Sequence, residues 1–305
     1  MHLLKTVAFA AAAFVAAGGR PSSAAAVSFA EDDAKIAYET ADAFVRECTP
    51  RHSGTLRARL AAGWLLDRAS RCGADVSLDS FRDKTPCGER LFSNVVMEFK
   101  GTRTNAAWIV VMSHFDTPAT AKQPCAGAND GASTSGLLVA LAGAIRRSGP
   151  HPDNIALVWT DGEECCRAYG PDDGFHGSRH LVATYRKLGR RVKTAVCLDM
   201  LGDKDLDVIV PSNSTPVLKK LALRAAEKAG LKGLLKVDES ISVSDDHSAF
   251  LAAGCPAINF IDFSYGPGNS WWHTPDDTMA NVSQESLCKS GRLVAAFLTI
   301  ICYGK

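Results

Sequence analysis

The sequence contains no G-x-S-x-G elbow, so a serine hydrolase with its nucleophile on a sharp strand-to-helix turn is disfavoured. It contains no H-E-x-x-H helix, which removes the other common zinc protease design. No two cysteines are spaced C-x-x-C, so nothing suggests a structural zinc ribbon. The formal charge is only +1 over 305 residues, which leaves no electrostatic case for nucleic acid or a polybasic membrane contact. Beyond the first 30 residues no repeat, linker or low-complexity tract breaks the chain. No later run reads as long and apolar enough to span a bilayer.

What is present begins with an export pattern. Lys5 gives the N-terminus a positive charge, Thr6 to Ala17 is a run of small apolar residues, and Ala24-Ala25-Ala26 offers an A-x-A cut. Ser28-Phe29-Ala30 offers a second. The expectation is a signal peptide over 1–26, a single zinc-dependent catalytic domain over 27–305, a secreted or periplasmic protein, and no membrane partner after cleavage. Ten cysteines permit disulfides in such a compartment. Cys197, Cys288 and Cys302 sit in apolar patterns and read as buried thiols. Cys72 with Cys87 is the expected bridge.

The length suits one α/β core. Helices are expected over Glu31–Cys48, with Ile36, Ala41, Phe44 and Val45 inward, and over Gly54–Arg71, with Leu56, Leu60, Trp64 and Leu65 on one side. Val76 and Leu78, then Val95, Met97 and Phe99, alternate as in two antiparallel strands at a sheet edge. The apolar strands Trp108–Ser113, Ile155–Thr160, Thr194–Leu198, Leu206–Val210 and Pro256–Ile261 then alternate with helices. That order implies a mixed, mostly parallel sheet sandwiched between helices.

Acids and histidines collect where these strands end, which is where open α/β sheets bind ligands. His114 and Asp116 follow one strand, Asp130 lies in the next loop, Glu163 and Glu164 follow the second, and Asp199 ends the third. Asp245, Asp246 and His247 precede a short helix, and His273 lies beyond the last strand. Buried carboxylates at such density repel unless a cation or shared protons neutralise them. Two histidines and several carboxylates suit zinc, with a position left open for water or substrate.

Plainer roles exist for each residue. Asp130 or Asp245 could cap a helix, Glu163 and Glu164 could be a solvated pair, and Asp199 could be a structural acid. His247 reads as structural, Trp271 and Trp272 could be loop packing, and His176 and His180 read as surface residues.

Six motifs run in order: Ser-His-Phe-Asp, Gly-Ala-Asn-Asp-Gly-Ala-Ser, Asp-Gly-Glu-Glu, Leu-Asp-Met, Asp-Asp-His-Ser-Ala-Phe and Trp-His-Thr-Pro-Asp-Asp. From Val95 onward the chain resembles the zinc aminopeptidase family that also contains the animal-type glutaminyl-peptide cyclotransferases. The resemblance implies a mostly parallel sheet between helices and an enzyme acting on the N-termini of peptides or proteins. In the two-zinc peptidases, His114, Asp130, Glu164, Asp199 and His273 match the ligands, with Asp130 bridging. Glu163 matches the general base, and Asp116 matches the acid that orients His114. In the one-zinc cyclases, Asp130, Glu164 and His273 match the ligands, and Asp199 with Asp245 matches a proton-sharing network. Three features lean to the cyclases: the insertion before Gly177-Ser178-Arg179-His180-Leu181, the doubled acid Asp245-Asp246, and Trp272 before His273 as a substrate-pocket wall. The aminopeptidase is the alternative. A non-catalytic binding module on the same fold is a remote third reading, because none of the five ligand positions is broken.

Overall fold

A computed structural model describes residues 26–304. The expected leader, apart from Ala26, lies outside the described residues. In chain order the elements are α1 (Glu31–Cys48), α2 (Leu56–Ser70), β1 (Asp75–Thr85), β2 (Gly88–Phe99), β3 (Trp108–His114), α3 (Thr134–Arg147) and β4 (Asn154–Thr160). They continue with α4 (His176–Lys187), β5 (Val192–Asp199), β6 (Val208–Pro211), α5 (Pro216–Lys228), β7 (Leu235–Asp238), α6 (His247–Ala252), β8 (Ala257–Ile261) and α7 (Gln284–Tyr303).

The eight strands form one mixed sheet in the order β1-β2-β4-β3-β5-β8-β6-β7. Its centre, β4-β3-β5-β8, is parallel throughout. Every residue of β3 is buried, because helices cover both faces, and this is why its sequence is an unbroken apolar run. α1, α2, α3, α5 and α7 pack on one face, and α4 and α6 on the other. The β1–β2 hairpin closes one edge antiparallel, as its alternation predicts. β7, a four-residue edge strand, escaped the sequence pattern.

The helix faces differ from expectation. Leu56 and Leu60 of α2 are 62% and 65% exposed, and Ile36 of α1 is 46% exposed. Ala41, Phe44 and Leu65 are buried as expected, and small residues fill the rest of the inward faces: Ala34 and Ala37 in α1, and Ala58, Ala61, Ala62 and Ala69 in α2. α1 lies so close to α3 that a Cβ on Gly136 would sit 2.2 Å from the Ala37 carbonyl oxygen. Close approach buries backbone and short side chains, and Leu56 and Leu60 are left outside.

α7 corrects a second expectation, since it is long and apolar enough by length and composition to cross a membrane. Its apolarity has another cause here: 78% of its apolar window is buried inside the fold. Val27 joins it, donating its backbone N–H to Thr299 Oγ1 at 3.0 Å.

The expected Cys72–Cys87 bridge is absent. Cys87 is bonded to Cys166, and Cys72 is free. The reason is the hairpin. Cys72 precedes β1 and Cys87 sits at the turn after it, so an 11-residue strand separates them. At roughly 3.3 Å per residue that is far outside disulfide reach. Cys197, Cys288 and Cys302 are buried free thiols.

Candidate metal centre

Core strand ends and the loops that follow them deliver the charged side chains. His114 is the last residue of β3, Asp199 is the last of β5, and Glu163 and Glu164 follow β4 by one tight turn. Gly162 takes that turn at φ +83°, in the left-handed region. Asp130 comes from the kinked segment before α3, where Gly131 has φ +91°. This backbone conformation favours glycine, and a Cβ there would crowd the His114 ring at 3.1 Å. His273, itself at φ +57°, descends from the loop after β8.

The five side chains meet. His114 Nε2 lies 2.9 Å from Asp130 Oδ1 and 3.2 Å from Asp199 Oδ1. His273 Nε2 lies 3.2 Å from Asp130 Oδ2 and 2.9 Å from Glu164 Oε1. Two groups could therefore hold a metal ion, His114–Asp130–Asp199 and Asp130–Glu164–His273, with Asp130 common to both. They differ in one respect. His114 and Asp199 satisfy each other by a hydrogen bond. In the other group, Asp130 Oδ2 and Glu164 Oε1 are buried without any hydrogen-bond donor. Buried acceptors left unpaired beside an imidazole nitrogen are the donor set a cation needs.

The plainer roles fail for several residues. Glu163 and Glu164 are 7% and 1% exposed, so they are not a solvated pair. Ser133, not Asp130, occupies the cap position of α3, and Asp246, not Asp245, that of α6. Burial and then the neighbouring Glu164 charge push the Glu163 carboxyl well above the usual range. Asp245 is pushed up to about 6 by burial and by Asp199. Its carboxylate accepts from Asn259 Nδ2 at 2.8 Å, from the Cys197 thiol and from the Asp246 N–H.

These groups open into a cavity of about 210 Å³. Glu163, Asp199 and Asp245 line it, with Tyr169, Phe263 and Trp272 as its aromatic walls. Trp272 lies against His273 with the rings tilted and their centres 4.0 Å apart, and it meets Phe263 edge-on at 5.3 Å.

Residues 94–298 match the sequence profile of peptidase family M28. The chain belongs to that family. Within it, the chain is 30% identical over 281 residues to a glutaminyl-peptide cyclotransferase-like protein of Bos taurus, covering 82% of this chain and 71% of the relative. The crystal structure of an Acidobacteriales bacterium glutaminyl cyclase superposes with a TM-score of 0.83 at 28% identity, covering 96% of this chain and 100% of that one. A leucine aminopeptidase precursor of Bacteroides thetaiotaomicron shares the fold, with a TM-score of 0.79 at 22% identity, covering 91% of this chain and 99% of that one.

For an M28 chain, several residues sit differently from the sequence reading. Asp116 stands 3.7 Å from His114 Nδ1, too far for a hydrogen bond. It still faces the His114 ring as a buried ion-pair partner, and its carboxylate also accepts the Glu163 and Glu164 N–H groups, at 3.3 and 3.0 Å, so it orients the glutamate turn as well. His176, expected on the surface, is buried, stacked on Phe92 and 2.8 Å from Asp83. His180 is half-buried and stacked on Phe81. His247 lies buried inside α6.

Three contributors went unnoticed in the sequence. Asp277 accepts the Asn129 N–H at 2.7 Å, the Asp130 N–H at 3.3 Å and the Tyr265 hydroxyl at 2.8 Å. Its signal was available, since it ends the Trp-His-Thr-Pro-Asp-Asp motif. Arg51 is fully buried and donates to the carbonyls of Phe115, Ala126 and Gly127, fixing the chain ahead of Asp130. Tyr169 donates to both glutamates from a loop whose sequence carries no regular pattern.

Proposed function

We propose that this chain is a zinc-dependent glutaminyl-peptide cyclotransferase, closing an N-terminal glutamine to pyroglutamate with release of ammonia. One observation carries the reading. The Asp130–Glu164–His273 group holds two buried, unpaired carboxylate oxygens at the floor of a cavity with aromatic walls. The similarity to the bovine cyclotransferase-like protein and the bacterial cyclase points the same way.

Asp130, Glu164 and His273 would hold one zinc ion. When bound, zinc would polarise the γ-carboxamide of the substrate. The remaining chemistry belongs to the chain. Glu163, kept basic enough by burial and by Glu164, takes a proton from the α-amine as its nitrogen attacks the side-chain carbonyl carbon. It returns that proton to the leaving amide nitrogen, and ammonia departs. Trp272, Phe263 and Tyr169 enclose the first residue of the peptide, excluding water that would hydrolyse the amide instead. Asp199 and Asp245 line the same cavity, where they can receive the positive α-ammonium before it loses its proton.

The second group, His114–Asp130–Asp199, favours one alternative. Filled as well, it would make a two-zinc aminopeptidase with Glu163 activating water. Export is part of the proposal, supported by the leader pattern and by a disulfide that persists in an oxidising compartment. Mass spectrometry of products separates the two reactions. Loss of ammonia from a glutamine-initiated peptide, abolished by chelator, supports the cyclase. Release of leucine from a leucine-initiated peptide, with the glutamine peptide unchanged, overturns it.

A further inference from the structure

The loop from Cys165 to Phe175 is tied down more heavily than its exposure explains. Arg167, Ala168, Tyr169, Pro171 and Asp172 are exposed, and such a segment ordinarily drifts. Here the Asp173 carboxylate accepts the backbone N–H groups of Cys166, Arg167 and Ala168, at 2.8, 2.9 and 3.2 Å. Arg179 donates to the carbonyls of Gly170 and Pro171. Cys166 is joined to Cys87 at the tip of the β1–β2 hairpin.

All of this fixes one side chain. The Tyr169 ring stacks on Phe175 at 5.2 Å and rests on Gly174, where a Cβ would meet it at 2.7 Å. Its hydroxyl reaches into the cavity, 2.9 Å from Glu164 Oε2 and 3.3 Å from Glu163 Oε2. The other oxygen of Glu164, Oε1, is the one that faces His273 and has no hydrogen-bond donor. A carboxylate with one oxygen occupied by a donor presents the other in a fixed direction.

We propose that Tyr169 is a positioning residue for Glu164: its hydroxyl holds Oε2 so that Oε1 alone is presented to the metal, and the Cys87–Cys166 bridge secures the loop that carries it. This rests on the Asp130–Glu164–His273 group being the zinc site.

The test is zinc affinity, measured without substrate by competition with a chromogenic chelator on the full chain. Wild type must bind zinc; if it does not, the zinc-site reading fails independently of Tyr169. Tyr169→Phe removes only the hydroxyl and should weaken zinc by about tenfold to a hundredfold, the range expected when a ligand loses its orienting partner. At saturating zinc it should lower kcat with little change in KM, and the metal-free variant should melt close to wild type. Cys87→Ser removes the bridge and leaves no hairpin thiol for Cys165 to capture. It should weaken zinc less than Tyr169→Phe, and the double variant should be no worse than Tyr169→Phe alone, because both act through one hydroxyl. Wild-type zinc affinity in Tyr169→Phe would overturn the proposal. So would full additivity of the two losses.

Discussion

His273 Nε2 lies 3.2 Å from Asp130 Oδ2, yet that buried oxygen accepts no hydrogen bond. The two residues come from loops on different strands and face each other without the alignment of a donor and an acceptor. Removing either ligand should therefore cost metal and not merely a contact. Asp130→Asn and His273→Ala should each lose zinc from the purified protein. Each should also lose the zinc-dependent rise in melting temperature that follows when a ligand binds only the folded state. Thermal melts with zinc and with chelator check this.

Glu163 is the proton carrier in the proposed reaction and is absent from both ligand groups. Glu163→Gln keeps the shape and removes the base. The expected outcome is a fall in kcat of about 10²–10⁴-fold with zinc content unchanged, by steady-state kinetics and metal analysis on the same sample.

The histidine electrostatics give a pH signature in the metal-free protein. Burial would lower the His273 pKa, but Asp130 and Glu164 outweigh it and raise the group from 6.5 to about 10. A raised folded-state pKa stabilises the fold fully below the unfolded value near 6.5, and that stability is lost as pH rises through about 10. Metal-free protein should lose this contribution between roughly pH 6.5 and 10. Zinc needs the neutral ring, so binding at neutral pH should release protons and strengthen as pH rises. Calorimetry in buffers of different ionisation enthalpy measures the release.

Arg51 offers a test of the supporting frame. Arg51→Met leaves the buried carbonyls of Phe115, Ala126 and Gly127 without their donor. The loss should exceed about 3 kcal/mol by denaturant unfolding, since each unsatisfied buried group costs about 1–3 kcal/mol.

Helix packing gives a contrasting pair. Leu60→Ser on the exposed face of α2 should change stability by less than about 0.5 kcal/mol. Gly136→Ala, small as it is, drives a methyl into the Ala37 carbonyl and should cost about 1–3 kcal/mol.

That contrast shows what a sequence conveys. The central strands were legible because burial on both faces leaves only apolar residues, as in Trp108–Met112. The acids were legible because His114 and Asp199 at strand ends, and Glu163–Glu164 just past β4, break that run abruptly. The inward faces of α1 and α2 were legible only at Ala41, Phe44 and Leu65, because alanine gives little periodic signal and exposed leucines give a false one. The Cys87–Cys166 pairing depends on where a hairpin tip lands, which no local spacing encodes. Tyr169 was hidden for the same reason: its loop has meaning only once Asp173 and the disulfide have folded it back over Glu163 and Glu164.

Metal content set against turnover tests the central claim most directly. Purified protein should contain one zinc per chain, and chelation should remove that ion together with ammonia release from a glutamine-initiated peptide, both returning when zinc is restored. Full ammonia release from protein shown to contain no metal would contradict the account.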